Sequence, residues 1–373
     1  MKNNKWTVGL AAAGLIGLAS VAQAQDANSV QTKLATTSLS GYVSTTYTWA
    51  MGDAGGQVGD GAGTNYNIGG DKRDRFALDV ISLTLASPKS AGDWGAGYNV
   101  QLWLGPDASE ILSEDDDGEV AIKNAYVNLN VPVGKGIDVK LGRFDTILGM
   151  EAMDYNVNPH FTHSWGYAIE PTIHEGLLAS YQLTDDLGVT AMVANTIDAT
   201  SNSAGTSDGD RKTFGVAVNY VAPDNFGFLK GTTLDVAYIN GKTGTGQDPV
   251  QNLYVGVGIP LPVDKLSAGI AWDSRQDGGG DGQTDTVIGV YVEYAASDKL
   301  TLNVRGERVE DGPALNIGTT NSDAWDLTLT ANYKLWDGVS TRLEYRHTTL
   351  DTSTGTATDK NNNSIFANVI YEF

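Results

Sequence analysis

The chain has 373 residues, with 24 Lys and Arg against 45 Asp and Glu, a formal charge of −21. Such acidity excludes a nucleic-acid partner, because binding a polyanion needs clustered cations that this sequence lacks. It contains no cysteine, so a disulfide framework and Cys-ligated metals are also excluded.

The N-terminus carries Lys2 and Lys5, an apolar run from Val8 to Ala19, and then Ala22-Gln23-Ala24, the small-residue pattern cut by a signal peptidase. Residues 1–24 are therefore expected to be a signal peptide, with the exported chain beginning near Gln25. Losing the two lysines leaves 22 basic and 45 acidic residues, so 22 − 45 gives −23. No apolar stretch of about 18 residues follows, which excludes a helical membrane protein but not a β-barrel, whose lipid-facing residues alternate with polar ones. Residues 25–38 are expected to be a short periplasmic segment. Residues 39–373 show no linker and no shift in composition, and they read as one continuous domain.

From Leu39 onward the sequence alternates apolar and polar positions in about sixteen stretches. Leu39, Val43, Tyr47 and Trp49 share one face of the first, opposed by Ser44, Thr46 and Thr48. Strands are predicted at Phe76 to Ala86, Trp94 to Leu104, Val120 to Val131 and Ile137 to Phe144. The longest connection, Asp145 to Glu175, comes next. Beyond it lie Leu177 to Gln182, Val189 to Ile197, Thr213 to Val221, Thr232 to Ile239, Leu253 to Ile259 and Leu266 to Trp272. Val287 to Tyr294, Leu300 to Val309, Trp325 to Leu335, Val339 to Thr348 and the C-terminal stretch complete the series. Trp336-Asp337-Gly338 marks a tight hairpin.

Connections alternate long and short to the end of the chain. A soluble β-protein has no reason to keep that rhythm, whereas a transmembrane antiparallel barrel has turns at one rim and loops at the other. The predicted fold is thus all-β, a transmembrane antiparallel barrel of about sixteen strands, with short periplasmic turns and long extracellular loops. Aromatics near strand ends, including Tyr42, Tyr47, Trp49, Trp94, Tyr220, Trp272, Trp325 and Trp336, suggest interfacial girdles.

Ile365, Ala367, Val369, Tyr371 and Phe373 share a face of the last strand. Ending in Tyr371-Glu372-Phe373, this pattern resembles the C-terminal assembly signal of bacterial outer-membrane barrels, which implies the barrel-assembly machinery as a partner. Leu141-Gly142-Arg143-Phe144, Leu148-Gly149-Met150-Glu151, Glu170-Pro171 and His174-Glu175-Gly176 resemble the OmpL-like β-barrel porin family. That resemblance implies an outer-membrane channel passing small hydrophilic solutes by diffusion, without a chemical step or cofactor, among outer-membrane lipid and lipopolysaccharide. A homotrimer is compatible with it, since contacts between copies resemble lipid contacts in one sequence. In general porins the loop after the fifth strand folds inward, which implies an inward-folded constriction loop here, with Glu151, Asp154, His160, Glu170 and His174 as candidates.

Sixteen strands leave a water-filled lumen, so candidate pore-lining residues are sought on the polar faces. These are Arg305, Glu307, Lys334, Arg342, Glu344 and Arg346. Charges of both signs across a lumen orient polar solutes. Loop acidity favours cations and the arginines favour anions, which leaves selectivity open. Arg143 is added, although its parity matches lipid-facing Val139 and Leu141, so either a bulge re-aims it or the pattern ends before it. His160, His163 and His174 follow no convergent ligand pattern, and no metal site is expected. A barrel adhesin or structural barrel is the alternative function. A barrel hydrolase is a weaker one, for the sequence shows no nucleophile elbow or zincin motif.

Overall fold

The structure, a computed structural model, describes residues 29–31, 36–51, 74–90, 93–112, 120–197, 212–242, 248–277, 284–310, 322–352 and 360–373. The expected signal peptide and the acidic run 114–119 lie outside the described residues.

A three-residue strand, β1 (Ser29–Gln31), pairs antiparallel with the start of β2 (Thr36–Met51). The barrel continues through β3 (Arg75–Ser87), β4 (Ala96–Leu104), β5 (Val120–Val131), β6 (Ile137–Asp145), β7 (Ile173–Gln182), β8 (Leu187–Ala194) and β9 (Thr213–Val221). It is completed by β10 (Thr233–Gly241), β11 (Val250–Pro260), β12 (Leu266–Gln276), β13 (Thr284–Tyr294), β14 (Leu300–Glu310), β15 (Ser322–Trp336), β16 (Val339–Thr352) and β17 (Lys360–Glu372). Each strand from β2 to β17 pairs antiparallel with its sequence neighbour, and β17 pairs back onto β2. Sixteen strands thus close into a barrel, as the alternation predicts. The short stretches predicted at Leu177 to Gln182 and Leu253 to Ile259 belong to longer strands, β7 and β11.

The wall is inverted relative to a soluble β-sandwich. On β14, outward Leu302 and Val304 are 42% and 38% exposed, while inward Arg305 and Glu307 are 0% and 3% exposed. An apolar outside around a polar inside is what a sheet between lipid and water requires, because every backbone group is paired in the closed ladder and only side chains meet the surroundings. No helix among the described residues is long and apolar enough to cross a membrane. Trp49, Trp94, Trp325, Trp336 and Tyr371 project outward and exposed. Tyr42 does not join them: it faces inward, 3% exposed, and its hydroxyl donates to Asp154 Oδ1 at 3.0 Å.

Connections β3–β4, β5–β6, β7–β8, β11–β12, β13–β14 and β15–β16 are short, and β15 meets β16 across Asp337-Gly338 with Gly338 at φ +71°. The opposite rim carries the long ones. Residues 146–172, between β6, the fifth barrel strand, and β7, do not stay at that rim. They turn into the lumen and include one short helix, α1 (Trp165–Ile169), capped by Ser164, whose hydroxyl accepts from the Tyr167 N–H at 3.0 Å.

Two apolar clusters hold this segment from inside. Ile147 and Leu148 pack with Phe144, Leu178, Met192, Tyr254 and Tyr291 on one side of the wall. Met153, Tyr155 and Phe161 pack with Tyr42, Trp103, Phe366 and Ile370 on the other. Burying each such side chain contributes on the order of 1.5–3 kcal/mol, so the segment is fixed by its own core and not by polar contacts alone.

A loop strapped across the barrel lumen

Register on the inward face of β14, β15 and β16 groups the polar residues into four rungs. Glu307, Asp326 and Thr348 form the first, and Arg305, Thr328 and Arg346 the second. Asn303, Thr330 and Glu344 form the third, with Thr301, Asn332 and Arg342 as the fourth. The charged members alternate acid, base, acid, base. This follows from a period of two along each strand combined with in-register antiparallel pairing.

Residues 158–165 lie along this ladder and match it with main-chain groups. At the fourth rung, Arg342 Nη2 donates to the Asn158 carbonyl at 2.8 Å and Asn332 Nδ2 to the Pro159 carbonyl at 2.7 Å. Glu344 on the third rung accepts from the Phe161 N–H at 2.6 Å and from the Thr162 N–H at 3.0 Å. The second rung again donates: Arg305 to the Thr162 carbonyl at 2.8 Å, and Arg346 to the His163 carbonyl at 2.7 Å. At the first rung Glu307 accepts from the Trp165 N–H at 2.6 Å. Basic rungs take carbonyls and acidic rungs take N–H groups, so all the charged side chains but Asp326 satisfy main-chain atoms that would otherwise be buried without partners. Bonds of this charge-assisted kind contribute about 1.5–3 kcal/mol each.

Side chains add a second layer of contacts. Arg305 is bracketed by Glu151 at 2.8 Å and Glu307 at 2.9 Å, and Arg346 pairs with Asp326 at 2.7 Å. Glu151 also accepts from the Ser164 N–H at 2.8 Å, closing the loop on itself. His160 Nδ1 lies 2.7 Å from Thr330 Oγ1. Within this cluster Arg305 and Arg346 pair with Glu151, Glu307 and Asp326, while Arg342 and Glu344 bind the loop main chain. All are buried.

Elsewhere the loop reaches other sectors of the wall. Asp154 accepts from Tyr42 at 3.0 Å and Gln101 at 2.8 Å, and pairs with Lys123 at 2.8 Å, which ties it to β2, β4 and β5. The Ile169 carbonyl accepts from Asn252 Nδ2 on β11 at 2.7 Å. Contacts on β2 to β5, on β11 and on β14 to β16 require the segment to span the lumen.

Burial and the neighbouring guanidiniums set the ionisation of the loop. His163 is pushed down to about 4, first by burial and then by Arg305 and Arg346, against the opposing pull of Glu151 and the Ala152 carbonyl. His160 is driven well below the usual imidazole range by burial and by Arg305, Arg342 and Arg346. Burial and the Asp273 carboxylate raise Glu170 well above the usual carboxylate range.

The remaining candidates sit apart. His174 belongs to β7 rather than to the loop, with Nε2 3.1 Å from Thr146 Oγ1. Arg143 lies in unbroken register opposite Glu175, to which Nη1 donates at 3.0 Å, and Nε donates to the Lys123 carbonyl at 3.3 Å. Backbone irregularity lies on both sides of it: the register shifts between β4 and β5 at Gln101 and Leu102, and Gly142, next to Arg143 in β6, adopts φ +135°, after which Arg143 and Phe144 are both buried. Lys334 is exposed near the short-turn rim. Among the described residues no group of three or more His, Asp or Glu side chains is placed to hold a metal ion. Asp154 as a hub with Lys123, the inward Tyr42, and Asp273 beneath the loop were not singled out from sequence. Asp273 follows Trp272 in an alternating stretch, so its inward parity was a usable signal.

Comparison with known proteins agrees with this architecture. Residues 36–373 match a family described as "Putative beta-barrel porin-2, OmpL-like". No curated protein sequence matches. The outer membrane channel DcaP of Acinetobacter baumannii is similar in structure, with a TM-score of 0.63 at 12% identity over 93% of this chain and 100% of that one. Salmonella typhi OmpF, in complex with daunomycin, gives a TM-score of 0.63 at 13% identity over 92% of this chain and 100% of that one. An anion-selective porin from Comamonas acidovorans gives 0.59 at 12% identity, covering 90% and 99%. Identities this low carry likeness of fold alone.

Proposed function

The chain belongs to the OmpL-like β-barrel porin-2 family, and from that premise we propose that it is a passive outer-membrane channel whose aqueous path is narrowed by residues 146–172. The protein is an outer-membrane β-barrel of the porin type, without enzymatic chemistry. The observation that carries the narrowing is the strapping of one internal loop to three sectors of the wall. Small hydrophilic solutes are the expected cargo, since a lumen crossed by a packed loop admits only what fits beside it.

The carboxylates that meet Arg305 and Arg346, and the main-chain carbonyls that meet Arg342, argue against those arginines as a free anion filter. Their charge is used to hold the loop. Export by residues 1–24, turns on the periplasmic side, lipopolysaccharide at the outer rim and assembly through Tyr371 and Phe373 belong to the same reading, as does a homotrimer.

Planar-bilayer recordings test it. Folded protein is expected to give stable single-channel conductance, and absence of conductance would remove the channel function and favour a structural or adhesive barrel. Deleting 156–164 should raise the conductance; an unchanged value would place the narrowing elsewhere.

A further inference from the structure

At the far end of the loop, Glu170 and Asp273 bring two buried carboxyl groups together without a cation between them. Glu170 ends α1, and Asp273 projects inward from β12. They are 8% and 4% exposed, and Asp273 Oδ2 lies against Gly166, one turn before Glu170 on α1, which brings the two carboxyls within reach of each other; such a pair is held by sharing a proton. Asp273 Oδ1 has no other partner among the described atoms.

Two glycines make room for the carboxyls. A Cβ on Gly166 would stand 2.5 Å from Asp273 Oδ2, and one on Gly149 2.1 Å from Glu170 Oε2. Only glycine at both places lets the two carboxyls sit against the loop backbone, and Gly149 also adopts φ +98°.

The groups facing this pair are acids and phenols. Glu151 comes from the loop, Tyr167 from α1 and Tyr254 from β11. The cations nearby are engaged: Arg305 with Glu151 and Glu307, and Arg275, further along β12, with Asp277 at 2.9 Å and in register with Asp285.

We propose that Glu170 and Asp273 form a proton-shared clasp which holds the helical end of the lumen loop on β12 and releases it as pH rises. The idea rests on the loop-narrowed channel proposed above. Loss of the shared proton sets Glu170, Asp273 and Glu151 against one another as three carboxylates in a buried space, and separation of α1 from β12 relieves them. The sign follows from linkage: an acid whose proton affinity is raised in the docked state favours docking at low pH and ceases to do so once pH passes that raised value. Each unit of that rise is worth about tenfold in the ratio of docked to undocked loop.

Since the chain has no cysteine, Ala168→Cys on α1 gives a unique label site. Its maleimide labelling rate is measured in the barrel between about pH 5 and about pH 9, alone and with Glu170→Gln, the ratio cancelling the thiol's own titration. The glutamine amide can donate to Asp273 without a proton to lose, so the ratio should rise by about tenfold or more on the alkaline side. Asp273→Asn should abolish the rise in the same way and serves if Glu170→Gln fails to fold, folding being judged by heat-modifiable gel mobility. A ratio independent of pH, or an alkaline rise that survives both substitutions, overturns the clasp. Bilayer conductance of the wild type is recorded in parallel and should step up over the same range. No conductance at any pH would defeat the channel reading, while labelling alone still decides the clasp.

Discussion

Arg305→Ala is the sharpest perturbation of the strapped loop. The side chain is fully buried, pairs with Glu151 at 2.8 Å and Glu307 at 2.9 Å and donates to the Thr162 carbonyl at 2.8 Å, so its loss leaves two buried acids without their guanidinium and a main-chain oxygen without that donor. Breaking a buried pair by removing one partner costs about 3–5 kcal/mol, and access to lumen water places this site toward the lower figure. At about 3 kcal/mol the undocked loop gains roughly a hundredfold in relative population. Single-channel recordings should then show larger and noisier openings. Adding Glu151→Gln to Arg305→Ala removes one of the stranded charges and should recover part of the loss, as a double-mutant cycle measures. Quiet openings of wild-type size in Arg305→Ala would mean that the ladder does not hold the loop.

Two further outcomes follow from the same geometry. His163 is held near 4, below its ordinary 6.5, so the docked loop prefers the neutral ring; that contribution is complete above about 6.5 and is lost as pH falls toward about 4. Ala168→Cys labelling should therefore also rise on the acid side, and His163→Gln should flatten that arm alone; an acid arm unchanged by the substitution would assign it to other groups. Gly149→Ala meets both a left-handed backbone at φ +98° and Glu170 Oε2 at 2.1 Å from the new Cβ. Strain of that kind costs about 1–3 kcal/mol before the clash is counted, so conductance should become unstable at neutral pH, and a wild-type trace would show that the 149–170 contact is dispensable.

The barrel itself was legible because its two signals are local. Alternation with period two needs only neighbouring residues, and alternating connection lengths need only the positions of strand ends, so the sixteen strands and their long and short rims could be read from the chain. Parity also placed Arg305, Glu307, Arg342, Glu344 and Arg346 on the inner face. What parity cannot show is what stands opposite. Those residues read as a lining open to solutes, and the fold covers them with the main chain of 158–165. Backbone carbonyls and N–H groups carry no residue identity, so a ladder whose partners are main-chain atoms leaves no trace in composition or spacing.

Tyr42 makes the same point in reverse. Near a strand end it reads as an interfacial aromatic, yet it faces inward to bond Asp154, more than a hundred residues later in the chain. Glu170 and Asp273 likewise meet across a similar distance in sequence. The amino-acid sequence by itself determined the strands, the inside and outside of each, and which loop was long enough to enter the lumen. Only the tertiary structure decided which charges are spent on holding that loop, because closure of β17 onto β2 is what brings the acids and bases of distant strands to face one another across a shared interior.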